Sequence, residues 1–229
     1  MEELYKFITS QYFTLLYPIV WFVAVLRYRT YFDTPLKYFP IYLMYTFLTE
    51  LLGYFIRHHD DFQFFSDERY KWHNVIIYNI YAVITFLFFY YIYWRMLKVD
   101  KHRNWVKYGA VISILTYAVS LFFQNPLHMN LYYANLVASL ILLINIAFYF
   151  KEKMDEGPHL HSMKHNLMFW ISLGLAVFHA FFPFLFLIAY EAPKIWAEYQ
   201  LRQVLKVLIL FMYGTFMLGF LISKRKAFR

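Results

Sequence analysis

The sequence predicts an all-α fold, a polytopic membrane protein in which seven transmembrane helices form a single domain over residues 1–229. Seven stretches of mostly apolar residues fill the chain, each about twenty residues long, and a helix needs about that length to cross a bilayer. The composition is 62% hydrophobic and only 16% charged, whereas soluble proteins carry about 25% charged residues. Because lipid offers the backbone no hydrogen-bond partners, apolar segments of this length must be helices.

We call the predicted helices segments 1 to 7 and place their ends from hydropathy and from the charged residues between them. They cover residues 11–26, 38–56, 73–94, 105–123, 131–150, 167–190 and 201–222.

The first three segments end at charged or aromatic residues. Segment 1 ends before Arg27, and Pro18 inside it removes a backbone donor and predicts a kink. Segment 2 lies between Lys37 and Arg57. Segment 3 ends before Arg95 in a run of Tyr and Trp rings, which is typical of the membrane–water interface.

The last four segments follow the same rule. Segment 4 comes after a run of basic residues, segment 5 ends before Lys151, and segment 7 ends before Lys224. Segment 6 contains Pro183, which predicts a second kink. The longest connections have about sixteen residues and leave no room for a soluble domain.

The distribution of Lys and Arg predicts the orientation of the bundle. The loops after segments 1, 3 and 5 and the C-terminal tail carry fifteen of these residues, and the opposite side carries seven. By the positive-inside rule, the N-terminus then lies outside and the C-terminus lies in the cytoplasm.

Composition also excludes several classes of function. The chain contains no Cys, which excludes disulfides, thiolate nucleophiles, iron–sulfur clusters and Cys-based zinc sites. The net charge of +8 does not indicate a nucleic-acid partner, because the basic residues lie at segment ends, where membrane lipids and topology explain them.

The strongest functional signal is Glu50, which lies inside the apolar segment 2. A carboxylate at membrane depth is costly unless it is protonated, paired or facing water. Asn79 in segment 3 is expected at the same depth. Near the outer end of segment 7, Arg202 and Lys206 are expected to share one face, with Gln203 beside them.

Together with Asn135, these residues predict an outward-facing polar cavity in which Glu50 offsets the charge of Lys206 or Arg202. The alternative is that both cations extend to the lipid headgroups, while Glu50 is a neutral acid bonded to a neighbouring helix. His179 is the only histidine deep in a predicted helix. We interpret it as a neutral residue bonded across helices at the floor of this cavity, since haem in a bundle usually takes two axial ligands.

Two loops are rich in potential metal ligands, but neither has the helical spacing or the supporting contacts of a metal site. The residues are His58, His59, Asp60 and Asp61 in one loop and His159, His161 and His165 in the other. We therefore expect no metal and no cofactor. A retinal protein is also disfavoured, because Lys206 is close to the outer surface and segment 3 offers no counter-ion.

Several stretches resemble a group of small seven-helix membrane proteins of Bacteroidota that have no assigned function. They are FPIYLMYTFLTELLGYF in segment 2, WHNVIIYNIYAVITFLFFYYIYW in segment 3, FYFKEK in segment 5 and Phe169-Trp170 in segment 6. That group is similar to the membrane input modules of bacterial sensor kinases. The resemblance implies a bacterial inner (cytoplasmic) membrane, a role in signal input, and a sensor kinase or another membrane protein as partner.

The sequence also departs from those modules. No dimerisation helix or ATP-binding domain follows segment 7, so we expect no kinase activity of the chain itself. Where such proteins often carry an acidic residue in segment 3, this chain has Ile84 or Thr85.

We therefore expect a non-enzymatic, receptor-like sensing protein or accessory subunit. One alternative is a small transporter or channel in which Pro18 or Pro183 supplies a gating kink. Another is a structural subunit of a larger membrane complex. A lipid-modifying enzyme would require Glu50 and His179 to act together.

Overall fold

The computed structural model describes residues 12–62, 74–156 and 163–225, and these residues form helices, turns and loops without any β-strand. The α-helices are α1 Leu16–Leu26, α2 Phe39–His58, α3 Val75–Met96, α4 Asp100–Ser120, α5 Tyr132–Asp155, α6 Leu167–Glu191, α7 Pro193–Glu198 and α8 Leu201–Ile222. The all-α prediction is confirmed.

Five stretches of the described chain are long and apolar enough to cross a bilayer. They are Pro35–His58, Val75–Met96, Tyr132–Asp155, Leu167–Glu191 and Leu201–Ile222. These helices indicate a multi-pass membrane protein. Each predicted segment coincides with a helix, but α1 has only 11 residues and α4 opens with a charged turn. The seven-span count and the orientation stay predictions.

The long helices run between two ends of the bundle. At the His58 end, α2 terminates and α3 and α8 begin. At the Arg27 end, α1, α3, α5 and α8 terminate. Arg27 links two of these termini, since its guanidinium donates hydrogen bonds to the carbonyls of Phe220 and Ser223, each at 3.1 Å.

The start of α4 differs from the prediction. The helix begins at Asp100, five residues before the predicted start, because α5 supplies a carboxylate to its first turn. Glu152 accepts hydrogen bonds from the backbone amides of Lys98 and Val99, at 2.7 and 3.2 Å, and pairs with His102 at 2.6 Å. A carboxylate at this position satisfies the unpaired donors of a helix N-terminus.

The short helix α7 was not predicted. Between α7 and α8, Gln200 has a φ of 48°, a left-handed conformation that is uncommon for residues other than Gly. This residue is the N-cap of α8 at the His58 end.

Helices α6 and α8 approach closely because glycines face the partner helix. A Cβ on Gly174 would collide with the Thr215 hydroxyl and would lie 3.0 Å from the Met212 carbonyl oxygen. A Cβ on Gly219 would lie 2.8 Å from the Cβ of Trp170. Small residues of this kind let membrane helices pack backbone against backbone.

Toward the Arg27 end, the centre of the bundle is filled by rings from α2, α3 and α8. Phe39 lies 5.4 Å from Phe216 and 5.7 Å from Phe220 between ring centroids, and all three are fully buried. We call the whole set the aromatic plug. It consists of Phe39, Tyr42, Phe88, Phe89, Phe216 and Phe220.

Candidate functional site

A cavity of about 430 Å³ lies between α1, α2, α3, α5, α6 and α8, within the range of about 300–1,000 Å³ that is usual for small-molecule sites. Rings and aliphatic side chains form much of its wall. They include Phe86, Phe178, Phe182, Leu175, Ile209 and Met212. The cavity ends against the aromatic plug, since Tyr42 and Phe89 belong to both.

A second, polar cavity of about 360 Å³, which we call the vestibule, adjoins the first at the His58 end. The two share Glu50, Arg57, Asn74 and Tyr78 as lining residues. Arg202 also lines the vestibule. The shared residues form a neck between a polar entrance and a largely apolar interior.

Glu50 lies at this neck and is bonded to the adjacent helix. Its carboxylate accepts a hydrogen bond from the hydroxyl of Tyr78 on α3, at 3.2 Å. Among the described residues, Glu50 has no cation within ion-pair distance, so neither Lys206 nor Arg202 neutralises it by direct contact.

Tyr78 reaches Glu50 because α2 carries a glycine one turn further along. A Cβ on Gly53 would lie 2.5 Å from the Tyr78 hydroxyl oxygen and 3.0 Å from Cζ of its ring. The Gly53 carbonyl also accepts a hydrogen bond from the Asn74 side chain, at 2.9 Å. Gly53 therefore allows Tyr78 of α3 and Asn74, the N-cap of that helix, to lie directly against α2 at the neck.

On the far wall, Asn135 and His179 place polar atoms inside the apolar interior. Asn135 accepts a hydrogen bond from Tyr117, and Nδ1 of His179 pairs with the Ser139 hydroxyl at 2.9 Å. The two side chains are only 3% and 4% exposed, and both line the cavity. Within the described chain, the Asn135 amide nitrogen and Nε2 of His179 form no hydrogen bond.

The contact between Ser139 and His179 has the atom types of a nucleophile and a base, but its position does not suit catalysis. Ser139 is fully buried, and it is not among the residues that line the cavity. A nucleophile must reach the reacting atom of a substrate. Ser139 therefore orients the imidazole, and this interpretation agrees with the predicted hydrogen bond across helices.

The structure brings four of the seven predicted site residues to the two cavities. Glu50, Asn135 and His179 line the interior, and Arg202 lines the vestibule. The other three, Asn79, Gln203 and Lys206, are not among the described lining residues of either cavity. Gln203 is exposed and Lys206 is half-buried on α8.

Asn79 has a structural role instead. Its amide donates hydrogen bonds to the carbonyls of Pro126 and Met129, at 2.9 and 3.1 Å, and it accepts one from the Leu131 amide at 3.0 Å. These three bonds hold the loop between α4 and α5 against α3. The side chain is 5% exposed, so its polar atoms are used within the protein.

Sequence reasoning missed Arg57, Asn74 and Tyr78, although one signal was present. On α3 and its N-cap the lining positions are 74, 75, 78, 81, 82, 85, 86 and 89, which is the spacing of one helix face. Several of these positions carry Asn, Tyr or Thr in a helix that otherwise faces lipid or core. The large number of Tyr residues in the whole chain obscured this stripe.

The loops with potential metal ligands form no metal site within the residues that the structure describes. No group of three or more His, Cys, Asp or Glu side chains within residues 12–62, 74–156 and 163–225 is arranged to hold a metal ion. His159 and His161 lie outside the described residues.

No protein-family model, curated protein or solved structure matches this chain.

Proposed function

We propose that the protein is a non-enzymatic, receptor-like sensing protein or accessory subunit that binds a small molecule from the outer side of a bacterial inner membrane. The observation that carries this proposal is the cavity that opens at the vestibule and ends at the aromatic plug. A pocket with a polar entrance and a largely apolar interior is suited to hold a ligand.

In this proposal seven helices cross the membrane, with the N-terminus outside. The Arg27 end carries the larger share of Lys and Arg residues, so the positive-inside rule favours the cytoplasm for that end. The vestibule at the opposite end then faces the external solution. Helix α1 completes its span together with the helical turn Tyr12–Leu15 that precedes it.

The aromatic plug favours a binding pocket over the alternative of a transporter or channel. Its central rings are buried, and the Tyr42 ring stacks on Phe88 at 4.7 Å. A permeation path to the Arg27 end would require these packed rings to separate.

The packing of α8 offers a route from the cavity to a partner in the membrane. Met212 of α8 lines the cavity and its backbone lies against Gly174 of α6. At the Arg27 end, the terminal carbonyls of α8 are held by Arg27 of α1. A ligand that displaces α8 would therefore move α1 and α6, and a membrane protein such as a sensor kinase could read that movement.

Cysteine accessibility tests the open pocket, because the chain has no Cys of its own. Ala82 lines the cavity, whereas Ile84 on the same helix is 42% exposed on the outer face of the bundle. In nanodiscs, we expect a water-soluble thiol reagent to modify Ala82→Cys and to leave Ile84→Cys in lipid unmodified. A lack of reaction at Ala82→Cys in a folded protein would contradict the proposal.

A further inference from the structure

The charges of the vestibule are not balanced. Arg57 and Arg202 both line it, and Glu50 is the single acid among its described lining residues. Neither guanidinium has an ion-pair partner in the described part of the chain. Two unpaired guanidinium groups at one entrance attract an oxyanion, which they bind in a bidentate manner.

The interior has a different chemistry. Behind the neck, Phe178 stacks on Phe182 at 4.7 Å, and the ring of Phe86 lies 5.3 Å from His179. Such a wall favours an apolar chain or ring. The amide nitrogen of Asn135 forms no hydrogen bond within the described chain, and it adds a donor in this wall.

From these two regions we infer that the ligand is an amphipathic organic anion. Its carboxylate or phosphate ester binds Arg57 and Arg202 in the vestibule, and its apolar body passes Glu50 and fills the cavity as far as the aromatic plug. This inference rests on the proposed function and names the class of ligand for that site.

Glu50 adds selectivity in this arrangement. The anionic group stays in the vestibule because the neck carries a carboxylate that is already bonded to Tyr78. A ligand with a second acid in its body would bring two acidic groups together at the neck. The site therefore selects molecules with one anionic end and an uncharged body.

Protection of a single cysteine tests the inference. Four probes with the same eight-carbon chain are added to Ala82→Cys in nanodiscs: octanoate, octyl phosphate, octylammonium and octanol. We expect the two anions to slow modification of the thiol and the other two to leave its rate unchanged. Comparison of octanoate with octyl phosphate distinguishes the carboxylate from the phosphate ester.

The Arg57→Gln, Arg202→Gln double variant should raise the half-protecting concentration of octanoate by about tenfold or more, since charge-assisted hydrogen bonds are lost. Lys194→Gln is the matched control, because Lys194 is an exposed cation at the same end of the bundle that does not line the vestibule. Should the double variant fail to fold, high salt on the original Ala82→Cys protein should weaken protection by screening the same charges.

Three results would contradict the inference that the ligand is an anion. They are equal protection of the thiol by all four probes, protection by octylammonium alone, and no protection by any probe. Each of these outcomes leaves the proposed function standing as long as Ala82→Cys reacts from water. If the thiol of Ala82→Cys does not react in the absence of any probe, both the water-accessible pocket and the proposed function are contradicted.

Discussion

Glu50 keeps its contact with α3 because the neighbouring turn of α2 lacks a side chain. Tyr78 donates to the carboxylate at 3.2 Å, and its ring occupies the space that a Cβ on Gly53 would need. The sequence identified Glu50 as exceptional from its position in an apolar helix, and it left open whether the partner is a cation or a neighbouring helix. A phenol satisfies the same carboxylate without bringing a second charge into the membrane.

The substitution Gly53→Ala should therefore break the hydrogen bond between Tyr78 and Glu50, although it replaces neither residue. The new methyl group forces the Tyr78 hydroxyl away from Glu50, and we expect the free energy of unfolding to fall by about 1 kcal/mol. Tyr78→Phe should cost a similar amount, because it removes the same bond. Unfolding in detergent measures both effects.

The variant that combines Gly53→Ala with Tyr78→Phe serves as the control for this prediction. If both changes act on one contact, the double variant loses no more stability than the more damaging single variant. Fully additive losses would show that Gly53 and Tyr78 act independently.

Helices α6 and α8 form a pair whose distance is set by two glycines. Gly174 faces the backbone of α8 near Met212, and Gly219 faces Trp170 at the start of α6. The sequence shows these glycines, but it also shows Gly214 in α8, which has no neighbour within 4 Å of a built Cβ. Only the rotation of α8 about its own axis distinguishes the glycines at the interface from the one that faces outward.

We expect Gly174→Ala to destabilise the protein by about 1–3 kcal/mol, the usual cost of inserting a methyl group into a packed interior. The backbone of Met212 cannot move aside as a side-chain tip could. Gly214→Ala is the matched control and should leave stability unchanged or slightly raised, because Ala has the higher helix propensity. Thermal unfolding of the two variants measures the difference, and equal losses would contradict the assigned interface.

The two ends of the bundle differ in charge and in architecture. The His58 end contains the vestibule. The Arg27 end contains basic residues that pair with acids, as when Lys153 of α5 and Lys98, which precedes α4, each lie 2.7 Å from Glu156 at the end of α5. These hydrogen bonds, from Lys153 and Lys98, lower the pKa of the Glu156 carboxyl below its usual value. The pair of Lys98 and Glu156 joins the segment before α4 to the end of α5.

Single cysteines test which end faces outward. Tyr199 is 67% exposed at the His58 end, and Lys101 is exposed in the first turn of α4 at the Arg27 end. On intact cells, we expect a membrane-impermeant thiol reagent to label Tyr199→Cys at once and Lys101→Cys only after the membrane is opened. The reverse pattern would place the vestibule in the cytoplasm and contradict the proposed orientation.

The sequence by itself determined that the chain is helical and where each long helix lies to within about five residues at either end. Both are local properties, since an apolar stretch of sufficient length must satisfy its own backbone in lipid. The tertiary structure decided which polar side chains meet. Asn135 and Arg202 line the cavities while Asn79 and Lys206 do not, because the rotation of every helix about its axis depends on packing against all its neighbours, such as the contact of Gly174 with α8.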